Sequence, residues 1–382
     1  MTTPIPDDDV PTIPSGMPVP PRTDHEILTG HRVTTFIYEL TDLAGAIIGA
    51  TDSIDASDGG SLTWTANQAI KGRGSLSWTR VEDIDWLTTL VRPVVTVRPL
   101  DGSGELSWPL GLWVPSIPTL AYGSAATTGG IDLLSREAIL SESLILAGYT
   151  VAEGANVIDA IRTIIADAGQ PASALTDSDA TLTSSMTWEA GTSRLQIIND
   201  LLDAIGYFSM WTDGAGQFRA EPYIAAGARA MAWEFTDDAE RIYTPGWSQT
   251  RDLYGVPNTA VSLPEQSGED AGFVGTAIND DPASPFSTVR RGRQIGLVAD
   301  TNAAVSQEVA DMQAARALAA ATNATAVSTI EHALIPLAHN DAVLFASLTA
   351  GISARHVVTA TTVNLSATKL AQSTIREVLI DG

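Results

Sequence analysis

The chain has 382 residues, with 45 acidic against 21 basic side chains, a formal net charge of -24 and no cysteine. At roughly 150 residues per domain, this length predicts two to three domains that each bury a hydrophobic core. The lack of cysteine excludes disulfide-stapled mini-proteins, thiolate metal sites, iron–sulfur clusters and a cysteine nucleophile, because each of them requires sulfur.

The N-terminal segment, residues 1–24, holds seven of the 20 prolines. Proline lacks the amide donor that helix interiors and sheet ladders need, so this composition predicts a proline-rich extended arm. Two interpretations stay open: a loose terminus, and a strap that lies over a neighbouring subunit.

Residues 25–145, the first β region, have the pattern of β-strands. β-branched and aromatic residues follow one another at 33–40, and small polar residues alternate with large apolar ones at 61–65 and 75–79. This pattern predicts an antiparallel, barrel-like β domain of the tube type. Four tryptophans in these strands are expected to be core residues or intersubunit anchors: Trp64, Trp78, Trp108 and Trp113.

Residues 146–232, the middle region, are predicted to form an α+β domain. Apolar residues spaced three, four and seven apart between Val157 and Ile165 indicate a helix that ends at Gly169. A second helix is predicted from an N-cap at Thr192 to a stop at Gly206. Residues 207–221 then read as strand, tight turn and strand.

Residues 233–382, the last β region, return to strand patterns and predict a second antiparallel, barrel-like β domain. An alanine-rich helix is expected within it at about 303–322, with Val305, Val309 and Met312 on one side. The predicted fold class is therefore α+β and β-rich, with two β-barrel-like domains flanking an α+β domain.

No pattern in the sequence indicates a catalytic, cofactor or metal site. No Gly-x-Ser-x-Gly pentapeptide occurs, and neither glycine-rich turn, 72–74 or 214–216, matches a phosphate-binding loop. His332 and His339 are seven residues apart with Pro336 between them, so one helix face cannot present both to a metal. We expect a protein without enzymatic activity.

Acidic residues beside tryptophans are the one pattern that favours a different class of protein. Glu189 follows Trp188, while Glu234, Asp237 and Asp238 follow Trp233, as in many sugar-binding sites. The alternative that they indicate is a secreted glycan-binding or glycan-cleaving protein. Tryptophan beside an acid is also common in ordinary cores and turns.

The only dense positive charge in the sequence is the group Arg290, Arg291 and Arg293. Its simplest interpretation is a solvated loop, and the alternative is an intersubunit contact with an acidic neighbour. Specific nucleic-acid binding is not expected, because phosphate neutralisation needs clustered cations and the net charge is strongly negative. No stretch approaches the roughly 20 apolar residues of a membrane anchor.

Three stretches form a series in the order of the chain. They are residues 81–87 with 92–97 and 108–115, residues 188–202 with Gly206-Tyr207 and Asp213-Gly214, and residues 339–343 with 374–378. Together they resemble an actinobacteriophage-like siphophage minor tail protein of the baseplate-hub family, which is similar to the hub of contractile tails. The likeness covers roughly residues 30–382.

The resemblance implies a homotrimer at the tail tip of a virion, made in the host cytoplasm. Its two β domains per subunit would give six similar units that match a sixfold tail tube. The implied role is to join the tube end to receptor-binding proteins while DNA passes through. Implied partners are the tail tube or distal tail protein, the tape-measure protein and other minor tail proteins, and the alternative within virions is a distal tail ring protein.

Overall fold

The computed structural model describes residues 23–54, 59–79, 84–122, 127–171, 174–251, 254–264, 273–301, 307–322 and 326–378. Strands hold 42% of the chain and helices 18%, which confirms the β-rich α+β class. Within these ranges, no helix has the length and apolar character needed to cross a membrane. Residues 1–22 of the predicted arm, which was placed at 1–24, lie outside the described ranges. Asp24, at its predicted end, begins a helix.

The first β region opens with helix α1, Asp24–Thr29. The hydroxyl of Thr23 accepts a hydrogen bond from the Glu26 amide (3.3 Å), and the Glu26 carboxylate accepts one from the Thr23 amide (2.7 Å). This reciprocal cap marks the N-terminus of the helix, in which Ile27 and Leu28 are buried in the core. The strands that follow are β1 Arg32–Thr41, β2 Ile47–Thr51, β3 Gly60–Thr65, β4 Gly72–Thr79, β5 Leu90–Pro99, β6 Leu106–Pro109, β7 Trp113–Tyr122 and β8 Thr127–Ser135.

The middle region contains helices and short strands, which confirms its α+β pattern. Its second long helix begins one residue later than predicted, because Ser193, not Thr192, accepts the capping bond from the Gln196 amide (3.2 Å). Gly169 and Gly206 both have φ of 70° and lie just beyond the two long helices, as predicted. Helix α2, Glu137–Glu142, ends the first β region, and the elements of the middle region are β9 Tyr149–Val151, α3 Val157–Asp167, β10 Met186–Trp188, α4 Arg194–Ala204, β11 Trp211–Thr212 and β12 Phe218–Arg219.

The last β region contains the remaining strands and a long alanine-rich helix, α6, at the predicted place. These elements are β13 Met231–Phe235, β14 Ser248–Arg251, β15 Thr259–Pro264, β16 Gly275–Ile278, α5 Thr288–Arg291, β17 Gly296–Thr301, α6 Gln307–Thr322, β18 Ala326–His332, β19 Ala342–Ser347, β20 Ile352–Asn364 and β21 Ala371–Glu377.

The buried face of α6 consists mainly of alanines and does not include Met312. Met312 is 61% exposed, whereas Ala310, Ala314 and Leu318 are buried. Val305 lies outside the described residues. The reason is the close approach of the helix to strand β16, where a Cβ added to Gly275 would lie 1.9 Å from the Ala310 carbonyl oxygen. Only small side chains fit at this distance, so the alanine face turns inward and the methionine faces solvent.

One large sheet connects the first and last β regions. Its described strands follow the order β14-β18-β21-β20-β3-β4-β8-β7-β5-β1-β2, with β13 and β19 branching beside β20 and β6 beside β5. Antiparallel pairing of β3 with β20, from Ala360 opposite Thr65 to Asn364 opposite Ser61, joins the two halves. The described strands do not form a closed barrel, so the barrel-like expectation is not confirmed.

The hydrophobic clusters show how the regions share their cores. One cluster lies mainly in the middle region and includes Leu140 and Ile145 from the end of the first region. A second cluster places Leu334, Val363 and Leu365 of the last region among first-region side chains. The two β regions therefore pack as well as hydrogen-bond together, and the predicted domain boundaries stay a prediction.

Two of the four tryptophans predicted to be core residues or intersubunit anchors are core residues. Trp113 is fully buried and Trp78 is 6% exposed. The Trp113 indole donates a hydrogen bond to the Leu110 carbonyl (2.8 Å), and its ring lies edge-on to Trp64 at 5.2 Å. Trp64 and Trp108 are half-buried beside this cluster.

We predict that Gly275→Ala lowers the free energy of unfolding by roughly 1–3 kcal/mol, because the added methyl group overlaps α6 and forces it away from the sheet. Gly296→Ala in β17 of the same sheet is the matched control, since no atom lies within 4 Å of its added Cβ. Urea unfolding of both variants measures the difference. Equal loss in the two variants would contradict the close helix contact.

Candidate functional site

The three regions of the chain meet around Arg136, which directly precedes α2 and is 4% exposed. Its guanidinium group donates to the Gln170 side chain (3.1 Å) and to the Gly216 carbonyl (2.9 Å) in the middle region. It also donates to the carbonyls of Leu43 (3.3 Å) and Ala44 (3.2 Å), in the turn between β1 and β2. One side chain thus ties the first β region to the middle region.

The next residue, Glu137, places a second buried ionisable side chain at the same junction. Its carboxylate is fully buried and accepts a hydrogen bond from the Thr212 amide (2.8 Å), and burial raises its pKa. Lys71, 4% exposed, donates to the Ala66 carbonyl and the Ser209 hydroxyl, both at 2.7 Å. Burial lowers the pKa of Lys71 to about 8, against the attraction of Glu137.

His339 of the last β region completes the junction. Its ring lies edge-on to Trp211 of the middle region, 5.1 Å away, and is 6% exposed. Burial, together with a smaller effect of the positive charge of Lys71, lowers the pKa of His339 to about 4. The imidazole is therefore neutral at pH 7 and acts as a packing side chain.

Two cavities adjoin the pair Trp211 and His339. The first, of about 220 Å³, is lined by Trp64, Trp108 and residues 335–339. The second, of about 420 Å³, is lined by Phe208 and residues 338–342. Aromatic and aliphatic side chains form most of the wall of the first cavity, whereas the charged side chains of Glu221, Arg229 and Asp341 also line the second. Within the described ranges no group of three or more His, Asp or Glu side chains is placed to hold a metal ion.

A second buried cation, Arg229, holds the middle region against the last one. Its guanidinium group donates to the carbonyls of Asn340 (2.7 Å) and Ile224 (2.9 Å) and stacks on the Phe208 ring at 4.9 Å. Asn340 has φ of 70°, a left-handed conformation that asparagine tolerates better than other residues with a side chain. This turn leads into β19, in the third stretch that carries the resemblance.

The predicted arginine group lies on one short segment before β17. Arg291 donates to the Val256 carbonyl (3.0 Å) and stacks on Phe286. Arg293 is exposed and stacks on the exposed Tyr254 ring at 5.0 Å. Arg290, on α5, is also exposed. The structure brings all three arginines together, and their role at a subunit contact stays a prediction.

The two tryptophan–acid pairs lie in different hydrophobic clusters. Trp188 is 8% exposed in the middle-region core, and its indole donates to the Asp200 carboxylate (2.8 Å). Trp233 packs with the last-region cluster. Asp237 forms an ion pair with Arg241 (2.7 Å). The Trp188 ring is thus occupied by core packing and offers no open stacking face for a sugar.

Sequence patterns singled out His339 of the junction only as a candidate metal ligand, and they did not single out Arg136 or Glu137. Arg136 follows strand β8 and Glu137 begins helix α2, at positions where charged residues ordinarily face solvent. For Lys71, the sequence feature that could have indicated a special role is its rarity. It is one of only two lysines in the chain, and it lies between two strand patterns.

Among known proteins, similarity to this chain is found only by comparison with solved structures. No protein-family model matches the chain. No curated protein matches it either. Among solved structures, the tail protein from Neisseria meningitidis MC58 is similar with a TM-score of 0.63 and 12% identity, over 90% of this chain and 96% of that chain.

Two further solved structures agree with it. The 43 kDa tail protein of prophage MuSo2 from Shewanella oneidensis has a TM-score of 0.63 and 10% identity, over 90% of this chain and 98% of that chain. The prophage tail protein gp18 from Listeria monocytogenes EGD-e has a TM-score of 0.56 and 13% identity, over 90% and 94%.

This chain has the fold of phage tail proteins. The resemblance stated from the sequence is confirmed at that level. Of the three stretches that carried it, residues 81–83 lie outside the described ranges. The other two lie at α4 and at the β19 and β21 strands, which surround the junction of the regions.

We predict that Arg136→Met lowers the free energy of unfolding by about 3 kcal/mol, because the buried Gly216 carbonyl and the partly buried carbonyls of Leu43 and Ala44 lose their donor. Arg73→Met, at an exposed position of β4, is the matched control. Urea unfolding followed by tryptophan fluorescence gives the comparison. Similar midpoints for the two variants would show that Arg136 does not tie the regions together.

We also predict that His339 makes the protein acid-labile. Its folded pKa of about 4 lies below the unfolded value of 6.5, so the unfolded chain binds the proton more tightly. Stability is therefore lost as the pH falls from 6.5 to 4, by on the order of 2–3 kcal/mol from this group. His339→Phe should flatten that part of the pH profile, whereas His31→Gln, at an exposed position, should not. Unchanged slopes in His339→Phe would refute the assignment.

Proposed function

We propose that the protein is a structural hub of a phage tail tip, which joins the end of the tail tube to tail-tip and receptor-binding proteins. The observation that supports this most strongly is the extent of the likeness. The fold matches three tail proteins over 90% of this chain and over 94–98% of theirs, so both chains correspond almost end to end. A shared module within unrelated proteins would cover a smaller part.

The proposed assembly is a trimeric ring in which the two β regions of each subunit supply six similar units. The β3–β20 pairing supports it, because it holds the two β regions of one subunit in one sheet. A ring that must match a sixfold tube needs such a fixed geometry between its repeating units. The buried contacts of Arg136 and Arg229 hold the middle region to this frame.

The distribution of charge supports passage of DNA through the ring. Of the 21 basic side chains, Lys71 and Arg136 are buried and Arg32, Arg229 and Arg376 are half-buried, while Glu137 is a buried acid. With a net charge of -24, the surface therefore keeps an excess of acidic side chains. We propose that part of this acidic surface lines the channel, where repulsion keeps DNA from being held by the wall.

The protein is proposed to act without catalysis and without a cofactor. Its partners would be the tail tube or distal tail protein, the tape-measure protein and receptor-binding proteins, and its location the virion. The buried Trp188 ring gives no support to the glycan-binding alternative. Turnover of host cell-wall glycan that Glu189→Gln or Asp237→Asn abolishes, in folded protein, would reverse this view.

We predict that the purified full-length chain, or the chain extracted from virions, has three times its monomer mass of 40.1 kDa, about 120 kDa. Native mass spectrometry measures this mass, and electron microscopy of the particle gives the copy number and position. Six copies per particle would identify a distal tail ring instead. A monomer that joins no threefold assembly in the particle would refute the hub.

A further inference from the structure

A small α/β unit lies between strands β14 and β18 of the last region. Its sheet has the order β16-β15-β17, with β15 antiparallel to β16 and parallel to β17. Helix α6 covers one face, where Ala260, Ala314 and Leu318 are buried. The helix backbone lies against Gly275, so this side of the sheet is closely packed.

The opposite face of this sheet is apolar and exposed. Side chains alternate along a strand, so the residues between those that α6 covers point to the other side. Leu263, Ile278 and Val298 occupy such positions and are 45%, 55% and 60% exposed. Val261 lies directly opposite Val298 in the ladder and extends the same face. We call these four residues the open face.

Positive charge lies at one end of the open face. Strands β15 and β17 are parallel, and both begin beside Arg293, whose carbonyl accepts a hydrogen bond from the Asn258 side chain (3.0 Å). Arg290 lies three residues earlier, on α5, and both arginines are exposed. Tyr254, 79% exposed, stacks on Arg293. Arginine and tyrosine beside aliphatic side chains are typical of the centres of protein interfaces.

The charge of the chain indicates which molecule binds the open face. With 45 acidic and 21 basic side chains, a second copy of this chain presents an excess of acidic groups, whereas dense positive charge occurs in one group of the sequence. Opposite charges across an interface select the partner and its orientation. A nucleic acid would have to approach this small group through the repulsion of the surrounding protein.

The same charges determine the symmetry of the contact. In a twofold dimer the same patch meets itself, which would place the arginines of one copy against those of the other. Like charges in contact are unfavourable, so the open face must meet a different, acidic surface of the second copy. Contacts between two different surfaces are head-to-tail, and they form a ring when the rotation closes.

We propose that the open face, with Arg290 and Arg293 at its end, docks on an acidic surface of a second copy of this chain in a head-to-tail contact. This inference rests on the proposed ring and names the surface by which its subunits associate. It adds the small α/β unit to the assembly as the part that carries the contact.

The test compares two double variants of the full-length chain with one control by sedimentation over a range of concentrations. Ile278→Glu with Val298→Glu adds acid to the open face, and Arg290→Glu with Arg293→Glu reverses its positive end. We expect either pair to raise the dissociation constant of the assembly by roughly 100-fold or more. For the wild type, added NaCl should weaken assembly.

Leu87→Glu with Leu146→Glu is the matched control, because both leucines are highly exposed (90% and 95%) and lie outside the last region. This variant should assemble like the wild type. Thermal unfolding of every variant checks that the fold is kept, as expected for exposed positions. If an open-face variant does not fold, Ile278→Ser with Val298→Ser serves in its place.

The outcomes separate this inference from the proposed function. A wild type and open-face variants that assemble equally would overturn the docking surface and leave the ring intact. Variants that assemble normally but no longer join other tail proteins would show that the face binds a different partner, which also overturns the proposal. A wild type that forms no ring even in the particle would overturn the proposed function itself.

Discussion

The buried guanidinium group of Arg136 is the interaction on which the arrangement of the chain depends. Its donors reach the β1–β2 turn on one side and the middle region on the other. A buried cation is tolerated only where its donors are satisfied, and only the folded arrangement brings these carbonyl groups together. Glu137 and Lys71 add a buried acid and base at the same place. The junction is thereby held in one geometry.

The large sheet extends this arrangement to both β regions of the chain. Because β3 pairs with β20, residues about 300 positions apart in the chain lie side by side, and the β regions share one hydrophobic cluster. The middle region keeps a core of its own and is joined at Arg136 and Arg229. The three regions are thereby linked within one subunit by hydrogen bonds and a shared hydrophobic cluster.

Apolar periodicity made the local elements predictable. Helices α3 and α4 are confirmed with their glycine stops, because the spacing of their apolar residues reports one buried helix face. Periodicity did not indicate which face of α6 is buried, since the position of Gly275 against Ala310 is a tertiary contact. The junction residues were missed for the same reason: a charged residue after a strand looks alike whether it is buried or exposed.

The sequence by itself determined the β-rich α+β class, the order of the regions, the lack of cysteine chemistry and the likeness to phage tail proteins. These depend on composition and on patterns within a few residues. Only the tertiary structure decided that the two β regions form one sheet, that Arg136, Glu137, Lys71 and His339 converge, and that Leu263, Ile278 and Val298 form an exposed face. Each of these depends on contacts between distant segments, whose energies arise only when the chain has folded and water is excluded.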